Sequence, residues 1–457
     1  MIFGPQSAIS EKRLLTGKMQ RQAANSVSLL AFFLVLTFGI SAGAQKESTK
    51  SIVPMLPLPS GPFGVGRVGF DWIDLDRAAD MADDRGVHAE LMVYIWYPTE
   101  LSNKEVKGTL FPGAKQIDAA PDFPAGLKSK IFGGNWQLVV SGAITSHAQE
   151  NAPVAKSPAT FPVILFSPGA FGSSFQYSSA IEDLASHGYV VAAIEHTSEV
   201  FGVAFPDGKI HIYSATRIPK QSVPQAGATR EEYEAKLEAW SRHCVDVRAA
   251  DESFVLDKLT ELNKAAVESS QFSRRLDIAH VAAVGHSRGG WSSIVACRRD
   301  VRITACVNED GNNRGQGLDY PGAPIPKQPI MYVEISPVLK PGFAQDDWIV
   351  LKQLNLTAEQ WVQRWHETVN KEFQAFPAGG YFVQLTFPGL EHYSFSDEVV
   401  LREAKGGVKE KEEIALRGLH FTEDLTRGFL DEVLKNKRQT ILRDGPEMTV
   451  KHFGPGN

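Results

Sequence analysis

Four short apolar runs, nearly unbroken by polar residues, constrain this chain more than any other feature: Leu91 to Tyr97, Phe161 to Phe166, Tyr189 to Ile194 and Ile278 to Val284. A strand with one wet face alternates apolar with polar residues, so continuous runs of this length point to strands covered on both faces, as in a parallel sheet. Helical patterns lie between them. Tyr177 to His187 ends at Gly188, a residue suited to the left-handed turn that stops a helix, and Arg230 to Asn263 carries apolar residues at helical spacing. Strand, helix, strand in repetition predicts an α/β architecture: a mostly parallel, doubly wound sheet with right-handed crossovers and helices on both faces. Ile303 to Val307, Ile330 to Ile335 and Tyr381 to Phe387 continue the strand series, and Leu416 to Lys435 reads as a closing amphipathic helix. The Pro/Gly-rich stretch from Pro54 to Gly69 lacks periodicity and reads as an extended arm laid over the domain.

No internal repeat and no long linker divides the chain, so residues 45–457 are expected to form one domain. Two lid-like insertions interrupt it, at about 200–227 and 344–376. The second contains a helical pattern, Thr357 to Phe373, with Trp361 and Trp365 one turn apart. Two readings stay open for that pair: anchorage of the helix to the core, or an apolar lid touching an acyl or lipid group.

Residues 1–44 differ in kind. Lys12, Arg13, Lys18 and Arg21 precede an apolar run from Val27 to Ile40, which ends at Ala42-Gly43-Ala44. This is the pattern of a secretory signal peptide with cleavage expected after Ala44, giving a secreted or periplasmic protein. A membrane anchor is the weaker alternative, because the run falls short of the roughly 20 residues that span a bilayer. The formal net charge of -6 is spread along the sequence with no basic arm, which argues against a nucleic-acid partner. Cys244, Cys297 and Cys306 are too few for a disulfide framework, although export would permit one bridge, and their spacing does not suggest zinc. No metal or other cofactor is expected.

The strongest local signal is Gly285-His286-Ser287-Arg288-Gly289-Gly290, placed between an apolar run and the helix-like Trp291 to Cys297. Small residues on either side of a serine permit a sharp, strained strand-to-helix turn that lifts the hydroxyl clear of the sheet. The turn also sets the serine at a helix N-terminus, where amide dipoles favour developing negative charge. A serine hydroxyl is a poor nucleophile at neutral pH, so a base must take its proton, and a carboxylate must hold that base in the right tautomer. In a fold of this type the chain order is Ser, acid, His. Ile303 to Val307 leads into Asn308-Glu309-Asp310-Gly311, which makes Asp310 the expected acid. His392 is the expected base, because it follows a predicted strand, whereas His366 and His420 fall inside helical patterns. His286 is expected to pack beneath the turn. Oxyanion donors are expected at the backbone N–H of Arg288 and, in the loop Ser167-Pro168-Gly169-Ala170-Phe171-Gly172, at Ala170.

With these blocks in hand, the chain resembles the platelet-activating factor acetylhydrolases of the plasma and isoform II type. The resemblance is carried by Leu165 to Glu199, with its glycine loop, Asp183-Leu184-Ala185-Ser186-His187-Gly188 and Glu195-His196. It is carried too by Gly61 to Gly66, by Tyr94-Ile95-Trp96-Tyr97-Pro98, and by the block around Ser287. It implies an α/β-hydrolase that removes short or oxidised acyl groups from the sn-2 position of glycerophospholipids without calcium, with possible peripheral contact to membranes or lipid particles. By matching motifs it also implies Ser287 as nucleophile, Asp310 as acid, His392 as base, and Ala170 with Arg288 as oxyanion amides. Two departures touch the acyl and headgroup surfaces: Pro168 stands where the family usually has histidine, and the interval from Asp310 to His392 is longer. Other readings keep the same triad for a polyester, a lactone or another hydrophobic ester. A binding protein on a disabled hydrolase fold is the non-enzymatic alternative.

Overall fold

The computed structural model describes residues 53–79, 87–100, 107–197, 199–213, 229–267, 269–311, 326–335, 357, 360, 363 and 379–453. The strands of the main sheet are β1 (Gly64–Ala78), β2 (His88–Thr99), β3 (Ala148–Glu150), β4 (Phe161–Ser167), β5 (Val190–Glu195), β6 (Leu276–His286), β7 (Ala305–Glu309), β8 (Ile330–Ile335), β9 (Gly380–Leu385) and β10 (Met448–Phe453). Their order across the sheet is β10-β9-β8-β7-β6-β4-β5-β2-β1-β3. The block from β9 to β5 is parallel throughout, while β10, β2 and β1 add antiparallel flanks. The expected mostly parallel, doubly wound sheet is therefore present; its central strands β4, β5, β7 and β8 are almost wholly buried because both faces are covered, whereas the flanking β1 and β10 alternate with exposed residues.

Those faces can be read residue by residue. On β2, Leu91, Val93, Ile95 and Tyr97 enter one core cluster, whereas Met92, Tyr94 and Trp96 enter the other. Helices α2 (Arg230–Lys264) and α3 (Arg288–Arg299) cover the first face with Val245, Leu256, Leu259, Ile294 and Val295. Helices α1 (Ser178–Ser186) and α5 (Lys409–Lys435) cover the second with Ile181, Leu184, Leu425, Phe429 and Leu430. Helix α2 starts where Thr229 and Glu232 cap one another's free amides: Thr229 Oγ1 accepts from Glu232 N at 3.2 Å, and Glu232 Oε2 accepts from Thr229 N at 2.9 Å. Gly188 takes φ 89° just beyond α1, as its role of helix stop demands.

One expectation needs correction. The segment Pro54 to Gly69 is an arm only in its first half, where Phe63 N donates to Ser186 O at 3.0 Å and Gly61 N to Ser186 Oγ at 2.9 Å. From Gly64 onward it is strand β1, paired along its length with β2. Its glycines hid the alternation, and the ladder supplies what they lack. Gly66 lies opposite Tyr97, and Gly69 opposite Tyr94. A Cβ on Gly66 would stand 2.4 Å from the Tyr97 ring, so the aromatic covers the bare glycine backbone. Strand β10 and helix α4 (Asp397–Gly406) are further elements that the apolar pattern did not reveal.

Of the first insertion, Gly202–Ala204 and Ile210–Ile212 pair as a small antiparallel hairpin. Residues 214–227, the Trp361/Trp365 helix and the N-terminal 44 residues lie outside the described residues. Cys297 on α3 and Cys306 on β7 are paired as a disulfide, and Cys244 is a buried free thiol.

Candidate active site

Ser287 occupies the bend between β6 and α3 at φ 56°, ψ -124°, a conformation that costs a non-glycine residue on the order of 1–3 kcal/mol. The bend is held from both sides, since Ser287 N donates to Glu309 O at 2.8 Å and Trp291 N to Ser287 O at 3.2 Å. The flanking glycines are a matter of space. A Cβ on Gly285 would stand 2.4 Å from the Gly289 carbonyl carbon, and one on Gly289 would stand 2.0 Å from Ser167 O. Helix α3 thus starts in contact with the end of β4, which brings the Ser287 turn against the glycine loop that follows Ser167.

The expected acid stands at the end of the neighbouring strand. β7 ends at Glu309, two residues later than its apolar run indicates, and Asp310 follows with φ 50°. Aspartate tolerates this left-handed conformation better than most residues. Asp310 N donates to Val333 O at 2.6 Å, and Asp310 Oδ1 accepts from Ile335 N at 3.2 Å, so strand β8 fixes the carboxylate. Its other oxygen, Oδ2, lies 2.7 Å from His392 Nδ1.

His392 opens a single 3-10 turn, His392–Phe395, whose start is closed by Glu391 N donating to Ser394 Oγ at 3.0 Å. Its Nε2 lies 2.9 Å from Ser287 Oγ. Hydroxyl, imidazole and carboxylate, separated in sequence by 105 and 82 residues, therefore form one continuous hydrogen-bonded line. Asp310 is buried and His392 partly exposed, with side-chain exposures of 5% and 35%, so the imidazole faces the solvent side while its orienting partner does not.

His286 does pack beneath the turn. It is buried, its ring centre lies 4.5 Å from that of His392, and its Nδ1 lies 2.8 Å from the Tyr177 hydroxyl. That hydroxyl also accepts from Gly169 N at 3.1 Å, and burial raises the phenol's pKa far above its usual value. It therefore serves as a neutral tether between the glycine loop and the turn. A Cβ on Gly169 would lie 3.6 Å from Ser287 Cβ, which sets Ala170, the next residue, beside the serine. Arg288, the other expected oxyanion residue, is the first residue of α3, where a helix leaves its amides without internal partners.

Several buried groups around the site carried no local sequence signal. Burial pushes the Glu309 carboxyl up to about 8, although the Thr426 hydroxyl donates to it at 2.6 Å. Burial likewise lifts Glu195 to about 7, against the hydrogen bonds from Ser174. Glu199 behaves in the opposite way. Burial would raise it, but Arg288 and Arg248 together hold it down at about 2. Glu195 and Glu199 fall in the Leu165 to Glu199 block and Glu309 in the Asn308 to Gly311 block, where the sequence marks a resemblance and a strand end but no such contacts.

Comparison with known proteins identifies the family. The model of the family "Platelet-activating factor acetylhydrolase, isoform II" matches residues 49–312, which include Ser287 and Asp310 and stop short of His392. A probable 1-alkyl-2-acetylglycerophosphocholine esterase of Arthroderma benhamiae is 27% identical over 416 residues, 86% of this chain and 91% of that protein. The platelet-activating factor acetylhydrolase of Canis lupus familiaris is 29% identical over 203 residues, 40% of this chain and 43% of the relative. Among solved structures, a ferulic acid esterase from Streptomyces cinnamoneus superposes with a TM-score of 0.59 at 22% identity, covering 87% of this chain and 99% of that one, a likeness of fold. The chain belongs to the platelet-activating factor acetylhydrolase isoform II family and is a carboxylic ester hydrolase on an α/β-hydrolase fold.

Proposed function

We propose that this chain cleaves short or oxidised acyl esters of phospholipids, or closely related hydrophobic esters, through an acyl-enzyme on Ser287. The observation that carries the reading is the line from Ser287 Oγ through His392 to Asp310, at 2.9 and 2.7 Å. In this scheme His392 Nε2 takes the hydroxyl proton as Ser287 attacks the ester carbonyl, and Asp310 stabilises the imidazolium that results. The N–H groups of Ala170 and Arg288 receive the oxyanion. His392 then returns the proton to the leaving alcohol, and a water attacks the acyl-enzyme by the same route in reverse. Every proton is moved by the chain's own side chains.

The lipid-ester substrate class is supported by the family match and by the names of the fungal and mammalian relatives. Export is supported by the basic and apolar pattern of residues 1–44, with the mature chain starting at Gln45. Ser287→Ala should abolish p-nitrophenyl acetate turnover and fluorophosphonate labelling while leaving thermal unfolding cooperative. Retained turnover would refute the assignment. A panel of acetyl, long-acyl and short-chain phospholipid esters tests the substrate class, and the reading predicts preference for short acyl groups on a glycerophospholipid.

A further inference from the structure

A buried charged network that the triad does not use fastens the loop carrying Ala170 from beneath. Arg248, fully buried on α2, donates through Nη1 to Pro168 O at 2.6 Å and through Nη2 to Gly169 O at 3.4 Å. Its Nε donates to Glu199 Oε2 at 2.5 Å. The other oxygen of Glu199 accepts from Arg288 Nη1. One carboxylate thus holds two guanidiniums. One of them grips the glycine loop, and the other belongs to the residue at the start of α3.

Peptide geometry gives this arrangement its meaning. The Gly169 carbonyl and the Ala170 N–H belong to one planar trans peptide unit and point in opposite directions. Gly169 O is held by Arg248 and also accepts from Gly172 N at 3.0 Å, so the direction of the Ala170 N–H is set from the carbonyl end. A planar guanidinium suits the task because its fork reaches two carbonyls and a carboxylate at once, which an ammonium cannot do with the same geometry. The grip is backed by a second row: His196 Nε2 lies 2.8 Å from Ser167 Oγ, and His196 Nδ1 lies 2.7 Å from Asp251 Oδ2.

We propose that Glu199 and Arg248 are positioning residues for the oxyanion hole, tying the loop that bears the Ala170 N–H to the residue that bears the Arg288 N–H. The inference rests on the assignment of those two amides under Proposed function. Preorganised donors act through their fixed aim, and removing one outright typically costs about 10²–10³-fold in kcat. Loosening the clamp should cost part of that.

The test uses the full mature chain as wild type, Arg248→Lys and Glu199→Gln, with folded active sites counted by fluorophosphonate titration. Turnover of p-nitrophenyl acetate and inhibition by a trifluoromethyl ketone, which forms a tetrahedral oxyanion on the serine, are then measured per titrated site. The expected result is a fall in kcat per site of about tenfold to a hundredfold with KM within about threefold, and a parallel loss of ketone affinity. If kcat per site and ketone affinity stay at wild-type values while only the melting temperature drops, the network is structural and the proposal fails. Should Glu199→Gln yield no titratable protein, Arg248→Lys, which keeps the buried charge, decides alone. Failure of the underlying reading looks different: wild type would then escape labelling at Ser287, or bind the ketone no more tightly than the matching alcohol.

Discussion

Glu309 and Thr426 meet at 2.6 Å across the interface between the end of β7 and helix α5, one residue before the carboxylate that faces His392. The Thr426 hydroxyl donates to a carboxyl that burial pushes up to about 8, so Glu309 is folded in its neutral form at pH 7. In the unfolded chain the same group titrates near the ordinary value of about 4.3. The native state therefore binds the extra proton between those values. Its contribution to stability is fully present below about pH 4.3 and is lost as pH rises through about 8. Urea unfolding of wild type and Glu309→Gln from pH 5 to 9 should show the variant losing less stability with rising pH, by on the order of a few kcal/mol at the alkaline end. Parallel pH profiles for the two proteins would show that Glu309 ionises normally in the fold.

Asp310→Asn isolates orientation from charge. Asparagine tolerates the φ 50° of this position, so the backbone that strand β8 fixes should be kept. The amide can offer His392 Nδ1 only a donor in its best orientation, which favours the wrong tautomer and leaves Nε2 unable to accept the Ser287 proton. A loss of about 10⁴-fold in kcat is expected, with melting temperature little changed. Stopped assays on titrated protein would measure it, and a loss below tenfold would remove Asp310 from the catalytic line.

The three residues of the candidate triad were legible because each stands directly beside a local signal. Ser287 has a glycine turn after an apolar run, Asp310 follows a strand and precedes a glycine, and His392 follows the last predicted strand. Such signals survive in one dimension because strand ends on one edge of a parallel sheet are brought together by topology alone. The Arg248 clamp had no such signal. Its partners lie 49, 80 and 79 residues away, and a buried arginine on an otherwise amphipathic helix reads like a solvated one. Strand β1 was half hidden for a different reason. The residues that complete its glycine positions, Tyr97 and Tyr94, belong to the next strand, so the pattern closes only in the sheet.

Gly289→Ala and Gly126→Ala form a matched pair. At Gly289 the added methyl would stand 2.0 Å from Ser167 O and 2.5 Å from Pro168 O, both backbone atoms, so the start of α3 must move away from the glycine loop. Overpacking of this kind costs about 1–3 kcal/mol. Here it should also separate the two expected oxyanion amides, and activity per titrated site should fall at least as steeply as stability. At Gly126 nothing lies within 4 Å of the added methyl, and alanine there should be neutral or stabilise by up to about 1 kcal/mol. Differential scanning calorimetry with active-site titration separates the two outcomes.

Arg67 tests the packing on the far side of the sheet. Its side chain is fully buried on β1, lies 5.4 Å from the Trp96 ring centre and 5.3 Å from that of Phe175, and donates to Leu110 O at 3.2 Å and Thr109 O at 2.5 Å. Its ionic partner Glu150 keeps 43% of its side chain exposed, so water can solvate that carboxylate once the arginine is gone. The carbonyl of Leu110 has no such relief, because Leu110 is buried. Arg67→Met fills most of the same volume but removes the donors together with the charge over the Trp96 and Phe175 rings, leaving a buried acceptor unsatisfied at a cost of about 1–3 kcal/mol. Arg67→Ala adds a cavity against Trp96 and Phe175, and should cost at least a further 1–2 kcal/mol. The order wild type, Met, Ala in denaturant midpoint, with an unchanged slope, is the expected result. A Met variant as stable as wild type would show that the guanidinium's hydrogen bonds and ring contacts add nothing beyond the packing of the side chain's stem.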